Sequence, residues 1–284
     1  MSRNILILKT ILSFCLLAIN CAQDPDAYIT TTKLIESKGY LAEEHSMLTQ
    51  DGYILTVHRV INPNISSVPK KVAFLQHGLL DASSTWVVNF PTQSLGFILA
   101  DKGFDVWLGN VRGNTYSNYH IKYNKNEEKF WNFSFDEMAK YDLTAMIDYI
   151  LLLTNNSNLF YVGHSQGTMV AFAKLSLEPE FQSKIKLFLA LGPVATVGSM
   201  QSPIKYLAEI GKASDQNIWY SLFGKKSFLP STNFVQILAD QLCKRVSIDK
   251  LICDNIIGVL CGPSKNFNET RMPVYVTHGL YLFY

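Results

Sequence analysis

Gly163-His164-Ser165-Gln166-Gly167 follows the apolar run Leu159-Phe160-Tyr161-Val162 and precedes a stretch of helical character. A G-x-S-x-G pentapeptide between a strand and a helix is a setting in which serine acts as a nucleophile. A serine hydroxyl is weak in that role at neutral pH. It must be lifted off the sheet, offered to a base and set beside N–H groups that can hold an oxyanion. Small residues at both flanks permit the turn, because a side chain at Gly163 or Gly167 would collide with the neighbouring strand and helix. In this chain order an Asp or Glu and then a His should follow the serine. After Ser165 the only histidine is His278.

Two upstream segments bear on the same chemistry. Gln76-His77-Gly78-Leu79-Leu80 follows a short buried strand, where a second oxyanion donor is built. Gly78 lets the backbone approach a ligand, so the N–H of Leu79 is expected to point into the site, with the N–H of Gln166 as its partner. His77 is read as a packed histidine that orients its neighbours, and His164 as structural, its side chain turned away from the attack face. In Trp107-Leu108-Gly109-Asn110-Val111-Arg112-Gly113-Asn114, the arginine is expected to pin its loop rather than bind substrate.

The elements that must position these residues alternate. Met47-Leu48-Thr49 and Tyr53 to Val60 flank Gln50-Asp51-Gly52, a hairpin signal. Lys71 to Gln76 suits a buried parallel strand, Thr92 to Lys102 a helix stopped at Gly103, and Phe104 to Leu108 another strand. Ser134-Phe135-Asp136-Glu137 is a capping box, and Met138, Met146, Ile147, Ile150 and Leu151 keep a helical period behind it. The strand before Ser165, a helix over Thr168 to Leu177 and a strand over Leu187 to Leu191 complete the pattern. A hairpin followed by strand–helix units predicts an α/β fold, a mostly parallel sheet with helices on both faces.

The chain has 284 residues, 48% hydrophobic and 17% charged, which describes a globular protein with a sizeable core. Arg3 and Lys9 sit around and within an apolar stretch from Ile5 to Ile19 that ends near Cys21-Ala22, the pattern of a signal peptide over 1–22. That stretch is short and interrupted for a membrane span, so no transmembrane segment is expected. Removing Arg3 and Lys9 leaves 23 basic against 23 acidic residues, and a neutral chain gives no case for nucleic-acid binding. Entry into the secretory pathway makes disulfides possible. Cys243, Cys253 and Cys261 remain; the expected pair is Cys243 with Cys253, which closes a small loop, and no metal site is expected. Sequons at Asn64, Asn132, Asn155 and Asn268 lie in polar, turn-like stretches and are glycosylation candidates.

Taken together these motifs resemble the acid lipase family of gastric and lysosomal lipases. The resemblance rests on Leu34 to Tyr40 with Glu43-Glu44-His45, Thr49 to Tyr53, Gln76 to Asp81, Trp107 to Asn114, Gly163 to Gly167 and the cysteine series 243, 253, 261. It implies an α/β-hydrolase core over 23–195 and a partial cap over 196–284. It also implies hydrolysis of triacylglycerols or cholesteryl esters at an oil–water or membrane interface, without a cofactor, in a secreted or lysosomal protein. Ser165 is then the nucleophile, and Leu79 and Gln166 supply the oxyanion N–H groups.

The resemblance also implies a departure. In the family, further core strands beyond the cap carry the triad Asp and His. Met272 to His278 resembles a stretch inside the cap, so His278 is not expected to be the base, nor Asp215, Asp240, Asp249 or Asp254 the acid. The triad Asp and His are accordingly expected to be missing from this chain, leaving a sheet without its last strands and Leu187 to Leu191 as an apolar edge. Loss of the base leaves about 10³–10⁴-fold acceleration over water. The alternative is a non-catalytic lipid-binding or interaction protein that keeps the serine turn.

Overall fold

Successive side chains of a strand point to opposite faces, and the buried strands obey this on both sides of one sheet. The computed structural model describes residues 24–65 and 71–196, with residues 268, 271, 274, 275 and 278. The expected leader 1–22, Cys243, Cys253 and most of 196–284 lie outside the described residues.

Among the described residues seven strands make up the sheet: β1 (Leu41–Leu48), β2 (Tyr53–Ile61), β3 (Val72–Gln76), β4 (Asp105–Gly109), β5 (Tyr119–His120), β6 (Leu159–His164) and β7 (Ile185–Leu191). Their order is β1-β2-β4-β3-β6-β7, with β5 paired to β2. The β1–β2 hairpin is antiparallel and joins β4 antiparallel, whereas β4, β3, β6 and β7 run parallel. The expected α/β class with a mostly parallel sheet holds. Four α-helices of seven or more residues accompany it among the described residues: α1 (Thr31–Ser37), α2 (Leu95–Asp101), α3 (Leu143–Thr154) and α4 (Gln166–Leu177).

Val72 and Phe74 of β3, Trp107 of β4, and Leu159 and Tyr161 of β6 face a cluster with Met146, Ile147 and Ile150 of α3 and Val170 and Ala171 of α4. Their neighbours Ala73, Leu75, Val106, Leu108 and Val162 face a second cluster with Leu34 and Ile35 of α1 and Phe97 and Ala100 of α2. Each large side chain buried this way contributes roughly 1.5–3 kcal/mol.

Some boundaries depart from the sequence reading. The α2 helix starts at Leu95 rather than Thr92, because Pro91–Gln93 forms a separate 3-10 turn. The capping box at Ser134 is formed, but one π-helical turn, Met138–Asp142, precedes α3. That extra residue carries Asp142 into the interior, where it meets Arg112. The α1 helix, capped by the Thr30 side chain, was not anticipated.

The register gathers the carboxyl ends. Gln76 pairs with Gly109 on one side and Gly163 on the other, and Gly163 with Ala190. The segments that follow β3, β4 and β6 therefore leave the sheet along one edge, the usual ligand-binding side of a parallel sheet.

Candidate active site

Ser165 stands between β6 and α4 with φ 50° and ψ −115°. For a residue with a side chain this is a strained conformation. Among the described residues only Leu80 (φ 57°), Asn155 (φ 52°) and Ser165 combine a side chain with positive φ. Asn155 is an ordinary left-handed helix end. The other two belong to the same site.

The turn holds because its flanks allow close contact. A Cβ on Gly167 would lie 2.5 Å from the Gln76 carbonyl oxygen, and one on Gly163 2.8 Å from the Gly167 oxygen. The Tyr161 hydroxyl donates to that Gly167 oxygen at 2.8 Å, and the Ser165 N–H donates to the Leu191 carbonyl at 3.0 Å. The Ser165 carbonyl accepts from the Thr168 N–H at 2.9 Å and its hydroxyl at 2.6 Å. Gln166 is the first residue of α4, where a main-chain N–H has no intrahelical acceptor.

The 77–83 loop lies against this turn. A Cβ on Gly78 would fall 3.2 Å from Ser165 Cβ and 3.1 Å from His164 Nδ1. Leu79, the next residue, is 48% exposed, so the loop that touches the serine presents an open apolar side chain. His164 is exposed at this edge, its ring near Gly78 and Gly192. It is therefore not packed away as a structural residue would be.

His77 is buried and fully engaged. Nδ1 lies 2.8 Å from the Gly78 carbonyl, and Nε2 faces the N–H of Val111 and the Asn114 amide, each at 3.3 Å. Burial, opposed by the Gly78 carbonyl and helped by His164, pushes its pKa down to about 4. Burial pushes the Asp81 carboxyl up to about 7, against hydrogen bonds from Ala82, Thr85 and Gly78.

Arg112 is buried and holds Asp51 (2.6 Å) and Asp142 (2.7 Å) while lying over the Tyr53 ring at 4.1 Å. Its guanidinium is thus spent on the fold, as expected. Burial raises the Asp142 carboxyl to about 6, opposed by Arg112.

Among the described residues no histidine or carboxylate hydrogen-bonds the Ser165 hydroxyl. His278 Nε2 lies 2.8 Å from the Asp26 carbonyl, in a cluster where Arg271 bonds Asp24 (2.8 Å) and Asp26 (2.7 Å). With Val274 buried in the second core cluster, Arg271, Val274 and His278 sit against the core and the N-terminal segment. Asn64, Asn132 and Asn155 are exposed, whereas the Asn268 amide donates to Asn89 and Gln93.

No group of three or more His, Cys, Asp or Glu side chains arranged to hold a metal occurs among the described residues. No helix among them is long and apolar enough to cross a membrane. Unanticipated in the sequence were the contacts of Asn110, Asn114, Ser83 and His58, which join the loops after β3 and β4 to strand β2. Two asparagines four apart in a glycine-bounded loop were the available signal.

Residues 31–90 match the family described as a partial alpha/beta-hydrolase lipase region, and residues 74–270 the alpha/beta hydrolase fold. Lysosomal acid lipase/cholesteryl ester hydrolase of Homo sapiens is 46% identical over 262 residues, 91% of this chain and 64% of its own. Gastric triacylglycerol lipase of Mus musculus is 44% identical, covering 90% of this chain and 65% of its own. Lipase lipl-5 of Caenorhabditis elegans is 42% identical, with coverages of 90% and 64%. The chain thus spans slightly less than two thirds of the length of these relatives.

Proposed function

The chain belongs to the α/β-hydrolase fold family, in its acid lipase branch, and from that premise we propose that it is a serine ester hydrolase of neutral lipids. Triacylglycerols or cholesteryl esters are the substrates, met at an oil–water or membrane interface in the secretory pathway, in the lysosome or outside the cell. The observation that supports this most is the strained Ser165 at the head of α4 with the Gly78 backbone against it. A non-glycine residue is held at such a φ only where its surroundings over-determine it.

In this reading Ser165 Oγ attacks the ester carbonyl carbon, and the carbonyl oxygen becomes an oxyanion held by the N–H groups of Leu79 and Gln166. Each such donor contributes about 2.7–4 kcal/mol in the transition state. Collapse expels the alcohol and leaves an acyl group on Ser165, which water then removes. A histidine takes the serine proton and returns it to the leaving alcohol, oriented by a carboxylate. No cofactor enters this chemistry. The exposed Leu79 side chain gives an acyl chain an apolar neighbour beside the reacting carbon. Cys243–Cys253 pairing and glycans at Asn64, Asn132, Asn155 and Asn268 belong to the same proposal.

A second reading rests on the same geometry. A protein that binds lipid esters without cleaving them would look the same at this turn. Treating the purified chain with a fluorophosphonate probe and mapping the labelled peptide separates the two. Rapid labelling at Ser165, together with ester hydrolysis that is lost in Ser165→Ala, is the expected result. Hydrolysis surviving Ser165→Ala would refute the mechanism, and labelling no faster than in unfolded protein would favour the binding reading.

A further inference from the structure

The 77–83 loop is fastened at both ends by one pair of buried side chains. Asn114 Nδ2 faces His77 Nε2 at 3.3 Å and donates to Asn110 Oδ1 at 2.8 Å. Asn110 Oδ1 also accepts the Ser83 N–H at 2.9 Å, while its Nδ2 donates to the Thr56 carbonyl at 3.0 Å. His58 Nδ1 adds a 2.8 Å contact to the Ser83 hydroxyl. Asn110, Asn114, His77 and Ser83 are each at most 2% exposed, so water does not compete for these bonds.

The residue type follows from this wiring. Position 110 must accept two N–H bonds on one atom and donate to a carbonyl from the next. Only a carboxamide offers both in so small a side chain; an aspartate lacks the donor and a leucine lacks everything. The loop needs such outside support, because Leu80 sits at φ 57° and would relax if released. Leu79 lies between the two fastened ends. An oxyanion donor loses its effect when its position is loose by even half an ångström or so.

We propose that Asn110 and Asn114 are positioning residues that hold the loop carrying the Leu79 N–H against Ser165. The catalytic side of this rests on the hydrolase reading above, whereas the mechanical side does not. Asn110→Ala and Asn114→Ala are compared in the full chain with Ile150→Ala, a core change on α3 away from the loop. Amide exchange across 77–83 should accelerate about tenfold or more in both asparagine variants, with α3 and β6 unchanged, as local opening would give. Turnover of a p-nitrophenyl ester should fall about 10²-fold with KM held within about twofold, the signature of a transition-state donor.

Exchange in 77–83 no faster than in Ile150→Ala would overturn the proposal, as would an equal loss of turnover in all three variants. If Asn110→Ala does not fold, Asn114→Ala carries the comparison, since it leaves the Ser83 and Thr56 bonds of Asn110 in place. An unreactive Ser165 in the wild-type chain would remove the hydrolase reading alone, and exchange would still decide whether the asparagines fix the loop.

Discussion

His77 has both ring nitrogens committed, and the bonds dictate its protonation. Nε2 faces two N–H donors and must accept, so the ring proton sits on Nδ1 and points at the Gly78 carbonyl. Charging the ring would place a proton against those donors in a dry interior. Unfolded histidine takes its proton near pH 6.5, whereas folded His77 waits until about 4. Its contribution is therefore fully present above pH 6.5 and disappears as the pH falls to about 4. Compared with His77→Gln, the wild type should lose on the order of 3 kcal/mol of stability between pH 7 and pH 4. Urea unfolding of the two proteins at both pH values measures this, and carboxylates common to both cancel in the difference. A stability gap that does not change with pH would show that the histidine is not held neutral.

The stretch from Ser134 to Thr154 shows how an element is begun, bent and ended. Ser134 Oγ accepts the Asp136 N–H at 3.0 Å, and Glu137 reaches back to the Ser134 N–H at 2.6 Å. This removes unpaired donors at an exposed helix start. The π turn then inserts one residue and aims Asp142 at Arg112, where it accepts both the main-chain N–H and the Nε proton at 2.9 Å. Asn155 in the left-handed region closes α3. Ser134→Ala should cost about 0.5–2 kcal/mol, the usual value for a lost N-cap. A shifted urea midpoint with an unchanged slope would register it. No shift would mean that the Asp142–Arg112 bond alone sets where this helix begins.

On the scale of the molecule, two apolar layers hold one sheet, and a later part of the chain returns to close the second layer. Arg271, 2% exposed, bonds Asp24, Asp26 and the Val88 carbonyl, and Lys38 shares Asp26 at 2.5 Å. Val274 follows it into the layer beneath α1 and α2. Removing one partner of a buried ion pair typically costs about 3–5 kcal/mol, because the other is left unmatched. Arg271→Ala should therefore loosen the contacts of position 271 and Val274, and limited proteolysis should cut next to them well before it cuts β3 or β6. Equal resistance in variant and wild type would mean that Val274 burial alone anchors the segment. At one edge of the sheet, β7 is the last strand among the described residues, with Leu187, Leu189 and Leu191 all more than 40% exposed.

What the chain alone determined is local. The strand, turn and helix around Ser165, the Asp51-Gly52 hairpin and the Ser134 box follow from period, glycine placement and side-chain capping, which act between residues a few positions apart. The short apolar runs of β3 and β6, set between helical stretches, likewise announced a buried, mostly parallel sheet. The tertiary structure decided everything that depends on distant partners. That the π turn behind the capping box ends on a carboxylate bonded to an arginine 30 residues earlier is visible only in the fold. That His164 stands exposed by Gly78, and that Asn110 and Asn114 brace the loop before Ser83, required β3, β4 and β6 to lie side by side. Hydrogen bonds reach about 3 Å, so polar residues far apart in sequence acquire their roles only when the sheet order has brought them together.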